Sequence, residues 1–315
     1  MQKKKLDNSK IKILVCCHKP SILPDNPDDI FLPIQVGAAI SSVNLGFQSD
    51  DKIQGAHCEN ISKKNKNYCE LTALYWAWKN IQKIYPNIEY IGLNHYRRFF
   101  NFKKKNGFLD RYTYLEKEIS TYELDTKKIN KILNKNSVIL AKKRKYPYSL
   151  ETDYAYCHVS DDIKTLRLII LEKFPEYLSS FDDFIVNNNG LNHYNMFIMP
   201  IKDFYEYCSW LFCILEEIEH RIDISNYSDV QKRIYGYMAE RLLGVWMLKN
   251  KKNVIYYPVN WYTDDVKDNK RKYFFSQLRK DRAFKVSLSL RTRIIYFLNK
   301  FLIGQKLLSA YREKK

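Results

Sequence analysis

Three basic strings stand directly after three short apolar runs, and their composition suits a multiply charged anion. His18-Lys19 follows Ile11–Cys17, Asn94-His95-Tyr96-Arg97-Arg98 follows 90–93, and Lys142-Lys143-Arg144-Lys145 follows 137–141. A guanidinium fork can take two phosphate oxygens at once and an ammonium adds a point charge, so a rim of these groups fits a diphosphate. On a continuing strand the adjacent Arg97 and Arg98 face opposite ways, so one is expected to reach phosphate and the other to salt-bridge. Two glutamates complete the set. Glu240, beside Arg241, lies among Ala239, Leu242, Leu243, Val245 and Trp246, and a glutamate so enclosed needs a partner. That partner is either a ligand or Arg241. Glu70 opens an apolar helix, where a carboxylate serves a ligand or the helix dipole. There is no G-x-G-x-x-G and no Walker loop. The seven cysteines are odd in number, scattered, and include no C-x-x-C, which points to neither a zinc site nor a disulfide framework.

These groups need elements to hold them. With 45% hydrophobic and 28% charged residues the chain reads as folded. Short apolar runs predict strands over 11–17, 52–56, 90–93, 137–141, 194–199 and 254–257, with a Pro- and Asp-rich loop to about residue 33. Leu71, Leu74, Trp78 and Ile81 recur at helical spacing and predict a helix over 67–84 that stops before Pro86. Further helices are expected over 161–180, 202–221 and 228–248. Strands alternating with helices imply an α/β fold whose mostly parallel sheet is covered on both faces. Ligands of such sheets bind at the carboxyl ends of the strands, which would gather the three basic strings on one rim.

The charge is uneven. Residues 266–315 hold 15 Lys and Arg against Asp268, Asp281 and Glu313, which is +12 of the formal +18. The chain therefore divides into a domain over 1–265 and a basic helical tail over 266–315. In the tail Leu290, Ile294, Phe297, Leu298, Phe301 and Leu302 form one apolar stripe flanked by basic residues, the pattern of a helix lying on an anionic membrane surface. No apolar stretch approaches the about 20 residues that span a bilayer, and the basic start Met1-Gln2-Lys3-Lys4-Lys5 is followed by no secretion signal. The expected location is cytoplasmic, peripheral on the inner face of the cell membrane. No nucleic-acid signature accompanies the charge, so nucleic acid is not an expected partner.

Four strings carry a resemblance to a known family: Tyr68-Cys69-Glu70-Leu71-Thr72-Ala73-Leu74-Tyr75-Trp76-Ala77-Trp78-Lys79-Asn80, Gly92-Leu93-Asn94-His95-Tyr96-Arg97-Arg98-Phe99-Phe100, Asn195-Met196-Phe197-Ile198-Met199, and Gly236-Tyr237-Met238-Ala239-Glu240-Arg241-Leu242. In this order, over roughly 11–262, the chain resembles bacterial glycosyltransferases of capsule, exopolysaccharide and O-antigen loci, long catalogued as a domain of unknown function and including galactofuranosyltransferases. The resemblance implies a Rossmann-like type A glycosyltransferase fold and transfer of a sugar, galactofuranose foremost, from a UDP-sugar to a lipid-linked or polysaccharide acceptor. Taken with the basic rim, it points to substrate contacts at His18, Lys19, Glu70, Asn94, His95, Tyr96, Arg97, Arg98, Lys142, Asn195 and Arg241, with Glu240 at the sugar or in catalysis. Asp153 is the carboxylate candidate for the acceptor's proton, and His158 falls on the acceptor side. The element order is also similar to that of family eight glycosyltransferases, whose third strand ends in a metal-holding Asp-x-Asp. Here Asn94-His95-Tyr96 takes that place. Mn²⁺ or Mg²⁺, with His95 as a ligand, and neutralisation of the diphosphate by Arg97, Arg98 and Lys142 alone both stay open. A non-catalytic membrane-surface binding protein on a degenerate nucleotide-sugar scaffold is the alternative class.

Overall fold

The computed structural model describes residues 10–26, 28–102, 111–114, 119, 122, 124–133, 136–263 and 290–301. All seven residues of strand β1, Ile11–Cys17, are buried, which is stable only in a strand covered on both faces. Its neighbours are parallel: β2, Phe31–Gln35, on one side and β4, Tyr90–His95, on the other. The short strand β3, Gln48–Ser49, extends the β2 edge. Four further strands complete the centre and its hairpin: β5, Arg98–Phe100; β6, Arg111–Tyr114; β7, Val138–Ala141; and β8, Phe197–Pro200. The last two are β9, Val254–Tyr257, and β10, Val259–Thr263.

The main path of the sheet runs β9-β7-β8-β4-β1-β2-β3, while β10 pairs with β5 and β6 beside it. Only β8 breaks the parallel direction of that path, running antiparallel to β4 and β7. The carboxyl ends of β1, β4, β7 and β9 therefore share one rim with the amino end of β8. β8 can close on β4 because Gly92 has no side chain: a Cβ there would lie 2.9 Å from the Phe197 carbonyl oxygen.

Helices cover one face of the sheet: α1, Leu71–Ile84; α3, Leu150–Cys157; α4, Ser160–Lys173; α5, Ile201–Arg221; and α6, Ile234–Lys249. Their apolar faces pack with Leu14, Leu93 and Leu140 in one core cluster, which includes Trp76 and Trp246. The alternate residues Ile13, Val15 and Ile139 point to the other face, where β5, β10 and α2, Thr126–Leu133, close a second cluster. Strand alternation thus feeds two cores from one sheet.

Several boundaries differ from the sequence pattern for local reasons. Helix α4 stops at Lys173, ahead of Pro175, whose ring disfavours helix in the preceding residue. The helix expected from 228 begins at Ile234, after a 3₁₀ turn at Gln231–Arg233. The strand expected from 194 begins at Phe197, because Tyr194 and Asn195 both adopt left-handed backbone angles. Residues 31–33 belong to β2 instead of the preceding loop, and 52–56 forms a small hairpin, Lys52–Ile53 with Ala56–His57. In the tail only α7, Leu290–Phe301, is described, with its Tyr296 hydroxyl donating to the Asn187 carbonyl. The rest of 266–315 lies outside the described residues.

Candidate functional site

The rim collects the expected groups. Val15 and Cys16 lie level with Asn94 and His95, so His18 and Lys19 leave β1 beside the end of β4. The His18 ring meets Tyr96 edge-on at 5.1 Å, and the Lys19 ammonium lies 5.7 Å from the same ring. Burial, then Lys19, Arg97 and Arg233, push the His18 pKa down. Lys142 leaves β7 on this rim, with its amide bonded to the Tyr257 carbonyl.

Arg97 and Arg98 do not continue a strand. β4 ends at His95, the chain turns through Tyr96 and Arg97, and Arg98 pairs back with His95 as β5 starts. Arg98 lies against two rings that also meet each other, 4.8 Å from the centre of Tyr194 and 4.3 Å from that of Trp261, with the two centres 5.6 Å apart. The Nε atoms of Arg97 and Arg98 and both side-chain polar atoms of Asn94 are enclosed without a hydrogen-bond partner. Among the described residues no carboxylate pairs with Arg98, and burial lowers its pKa. The salt bridge expected for one of the two arginines is absent from the described residues. Enclosed polar groups without partners are rare in folded proteins and ask for a reason.

Beside this pair, Tyr194 and Asn195 form a hub. Their φ angles are +79° and +51°. Asparagine tolerates this region, whereas a ring-bearing residue there carries strain of roughly 1–3 kcal/mol. Surrounding groups hold the turn. The Tyr194 amide donates to Glu240 Oε1 at 2.7 Å. His95 Nε2 donates to the Tyr194 carbonyl at 2.7 Å, which settles the tautomer because a carbonyl only accepts. Arg144 donates to the Tyr194 hydroxyl. The Asn195 amide donates to Glu70 Oε1 at 2.7 Å and to the Gly236 carbonyl, while its Oδ1 is enclosed without a partner.

The electrostatics follow from these bonds. Burial, aided by Arg98, pushes His95 down to about 3, so its ring is neutral. Burial raises the Glu70 carboxyl against the opposing Asn195 bond. For Glu240 burial also pushes upward, but His193, the Tyr194 amide and Arg241 outweigh it and hold the group below the usual carboxylate range. Two neighbouring carboxylates are thus driven apart in acidity, a frequent mark of acid and base roles.

Asp153, the expected base, is committed elsewhere: Arg241 Nη2 lies 2.9 Å from its Oδ2, and both side chains are buried. Arg241 accordingly serves as its counter-ion, and the Glu240–Arg241 pair is not formed. Burial raises the Asp153 pKa. His158 ends α3, bonds through Nδ1 to Gln231 Oε1 at 3.0 Å and stacks on Tyr237; burial lowers it to about 4. Residues that the sequence reading passed over complete the site. His193 lies between the Tyr146 hydroxyl, 2.8 Å away, and Glu240 Oε2, 3.5 Å away, and Trp261 closes over Arg98. The string Asn192-His193-Tyr194 could have been found by noticing that an antiparallel strand brings its amino end to this rim.

A Mn²⁺ or Mg²⁺ on a diphosphate asks for a set of oxygen ligands, usually including carboxylates. The end of β4 offers an asparagine, a histidine whose Nε2 is spent on Tyr194, and a tyrosine. The nearby Glu70 and Glu240 are already hydrogen-bonded, and among the described residues no group of three His, Cys, Asp or Glu is placed to share an ion. This donor set does not fit such a metal.

Comparison with known proteins adds three findings. No curated protein matches the sequence. Among solved structures, the apo form of the WbbM bifunctional glycosyltransferase is similar, with a TM-score of 0.70 and 28% identity over 81% of this chain. The match takes in 45% of that protein, so the chain spans less than half of its length. The likeness and the sheet order identify the expected Rossmann-like type A glycosyltransferase fold. The model of a domain of unknown function, DUF4422, matches residues 12–251 and takes in the rim from His18 to Glu240, and the chain therefore belongs to the DUF4422 family.

Proposed function

We propose that this protein is a glycosyltransferase that moves a sugar from a UDP-sugar to a lipid-linked or polysaccharide acceptor in cell-surface polysaccharide synthesis, with galactofuranose as the sugar. Fold alone does not carry activity. The observation that does is Arg98: a mostly enclosed guanidinium against the rings of Tyr194 and Trp261, its Nε without a hydrogen-bond partner and, among the described residues, in no salt bridge with a carboxylate. A charge in such a place is costly until an opposite charge arrives, and a diphosphate supplies one. The likeness to a structure titled as a glycosyltransferase favours a nucleotide-sugar as its carrier.

In this reading the diphosphate lies on Arg97, Arg98 and Lys142, the uridine lies against β1 and 33–39, and the donor sugar lies near Asn195 and Glu240. Arginine donors there stabilise the charge growing on the departing UDP. The galactofuranose assignment rests on the four family-like strings. The basic tail and the exposed apolar residues of α7, Leu290, Ile294, Phe297 and Leu298 among them, would keep the enzyme against the inner membrane face, beside a lipid-linked acceptor.

The test is a panel of UDP-sugars, UDP-galactofuranose included, offered to the full chain with and without glycan acceptors, together with calorimetric titration of UDP. Transfer from one donor and UDP binding support the reading. A well-folded protein that binds no UDP would return the chain to the scaffold class.

A further inference from the structure

The groups Tyr146, His193 and Glu240 form a line of which the reading above uses Glu240 alone. His193 Nδ1 lies 3.5 Å from Glu240 Oε2, and its Nε2 lies 2.8 Å from the Tyr146 hydroxyl. An ionised carboxylate only accepts and a phenol can donate. The arrangement therefore places the imidazole proton on Nδ1, facing Glu240, and leaves the Nε2 lone pair receiving the Tyr146 O–H. Glu240 cannot swing away freely, because its other oxygen holds the Tyr194 amide. This is the logic of a carboxylate that selects one histidine tautomer so that the far nitrogen can take a proton. His193 retains 18% side-chain exposure, and Asn195, whose Oδ1 has no partner, lies two residues further on.

We infer that His193 is the general base for the acceptor hydroxyl, that Glu240 is its positioning residue, and that the Tyr146 hydroxyl holds the acceptor's place on Nε2 until the acceptor arrives. The inference rests on the transferase reading. In the step, the acceptor O–H proton passes to His193 Nε2 and the acceptor oxygen bonds to the anomeric carbon of the donor sugar. The bond from that carbon to the diphosphate breaks on the opposite face, and its electron pair leaves on UDP, next to Arg97 and Arg98. The configuration at the anomeric carbon inverts.

The charged and titratable groups around His193 are Glu240 with Arg241 from α6, Tyr146 and Arg144 from the segment after β7, Asp153 from α3, and the adjoining Tyr194. Asp153 is neutralised by Arg241, so Glu240 is the anion left to support a protonated His193.

The test measures transfer against pH for the full chain and its His193→Gln, Glu240→Gln and Tyr146→Phe variants, using the donor identified by the panel. General-base catalysis contributes about 10²- to 10⁴-fold. His193→Gln should therefore lower kcat by at least about 100-fold, leave UDP affinity within about threefold, and abolish the acid limb of the profile. Tyr146→Phe should keep that limb. A His193→Gln protein that keeps its kcat or its acid limb overturns the assignment while the transferase reading stands. Wild-type protein that transfers from no UDP-sugar sinks that reading and the base with it. One readout is independent of turnover: nitrogen-15 NMR of the histidine rings should find His193 protonated on Nδ1, with that preference lost in Glu240→Gln. An Nε2–H tautomer in the wild type would overturn the inference on its own.

Discussion

Two guanidinium groups lie near this rim, and their surroundings treat them oppositely. Arg241 is buried against Asp153 at 2.9 Å and also bonds the Tyr237 carbonyl. Arg98 lies against two aromatic rings and, among the described residues, forms no salt bridge with a carboxylate, Glu70 and Glu240 acting on it only from longer range. Arg241 belongs to an internal balance of charge that is complete before any ligand arrives. Arg98 is left incomplete, and the same holds for Asn94 and for Asn195 Oδ1. The two arginines therefore differ in their charge partner and not at Nε, which is enclosed without a hydrogen bond in both.

The largest test of this contrast is Arg241→Met. Breaking a buried pair by removing one partner typically costs about 3–5 kcal/mol, because the other charge stays buried alone. The variant should lose that much stability in urea titration, and Arg241→Met with Asp153→Leu should recover much of it. A loss below about 1 kcal/mol would make Arg241 as unpaired in effect as Arg98, contrary to the geometry.

Arg98→Ala should behave the other way. Removing an uncompensated charge should leave stability unchanged or raised, whereas UDP affinity should fall. A hydrogen bond to a charged group is worth about 1.5–3 kcal/mol, or roughly 10- to 150-fold in Kd. Arg98→Lys should rescue little, since an ammonium has neither the planar face that meets Tyr194 and Trp261 nor the fork that takes two phosphate oxygens. Arg97→Ala, whose guanidinium lies 5.4 Å from the Tyr96 ring, should cost less. Equal losses of UDP affinity in the two alanine variants would remove the special status of Arg98.

How much of this could be read in advance divides along the same line. Ile11–Cys17 and the stripe of α1 were legible because burial imposes a period on the sequence. The basic strings were legible because a parallel strand delivers the residues that follow it to the rim. The Asp153–Arg241 pair joins residues 88 apart in sequence, and no local pattern encodes it. The left-handed Tyr194 was hidden for the opposite reason, since the apolar run around it reads as ordinary strand. Its conformation is imposed by Glu240, His95 and Arg144 from three other elements. The hairpin at Tyr96 and Arg97 was missed because neither residue is a turn former; pairing of β5 with β10 explains why the chain reverses there.

His95 sharpens the comparison through pH. Its folded-state pKa of about 3 lies below its ordinary value of 6.5, with burial as the main cause. Folding therefore disfavours the protonated ring. Stability is fully present above pH 6.5 and is lost as pH falls through that value toward about 3, by up to about 1.4 kcal/mol per pH unit. His158, lowered to about 4, adds a second share over much of this window. His95→Gln, whose amide can still donate to the Tyr194 carbonyl, should unfold with a shallower dependence on pH between 6.5 and 4.5. An unchanged slope would mean that His95 is not held neutral beside Arg98.

The smallest effect is expected from the greatest change in charge. Residues 266–315 carry +12 of the formal +18, so a general attraction between a basic chain and an anionic nucleotide would reside mostly there. Binding at a pre-formed, enclosed guanidinium would not, because exposed charges are screened beyond about 10 Å at 0.1 M salt. Among the described residues of α7, the Tyr296 hydroxyl bonds the Asn187 carbonyl, while Leu290, Ile294, Phe297 and Leu298 are exposed. One such bond is worth about 0.5–1.5 kcal/mol. A chain ending at Asp265 should therefore stay folded, lose no more than about that amount of stability, and bind UDP as before in calorimetry at 0.15 M salt. It should also cease to sediment with anionic liposomes, since the apolar stripe and its basic flanks are gone. If UDP affinity falls with the tail, the net charge and not Arg98 is what recruits the nucleotide. If the shortened chain unfolds, α7 belongs to the core and the membrane role of the tail fails.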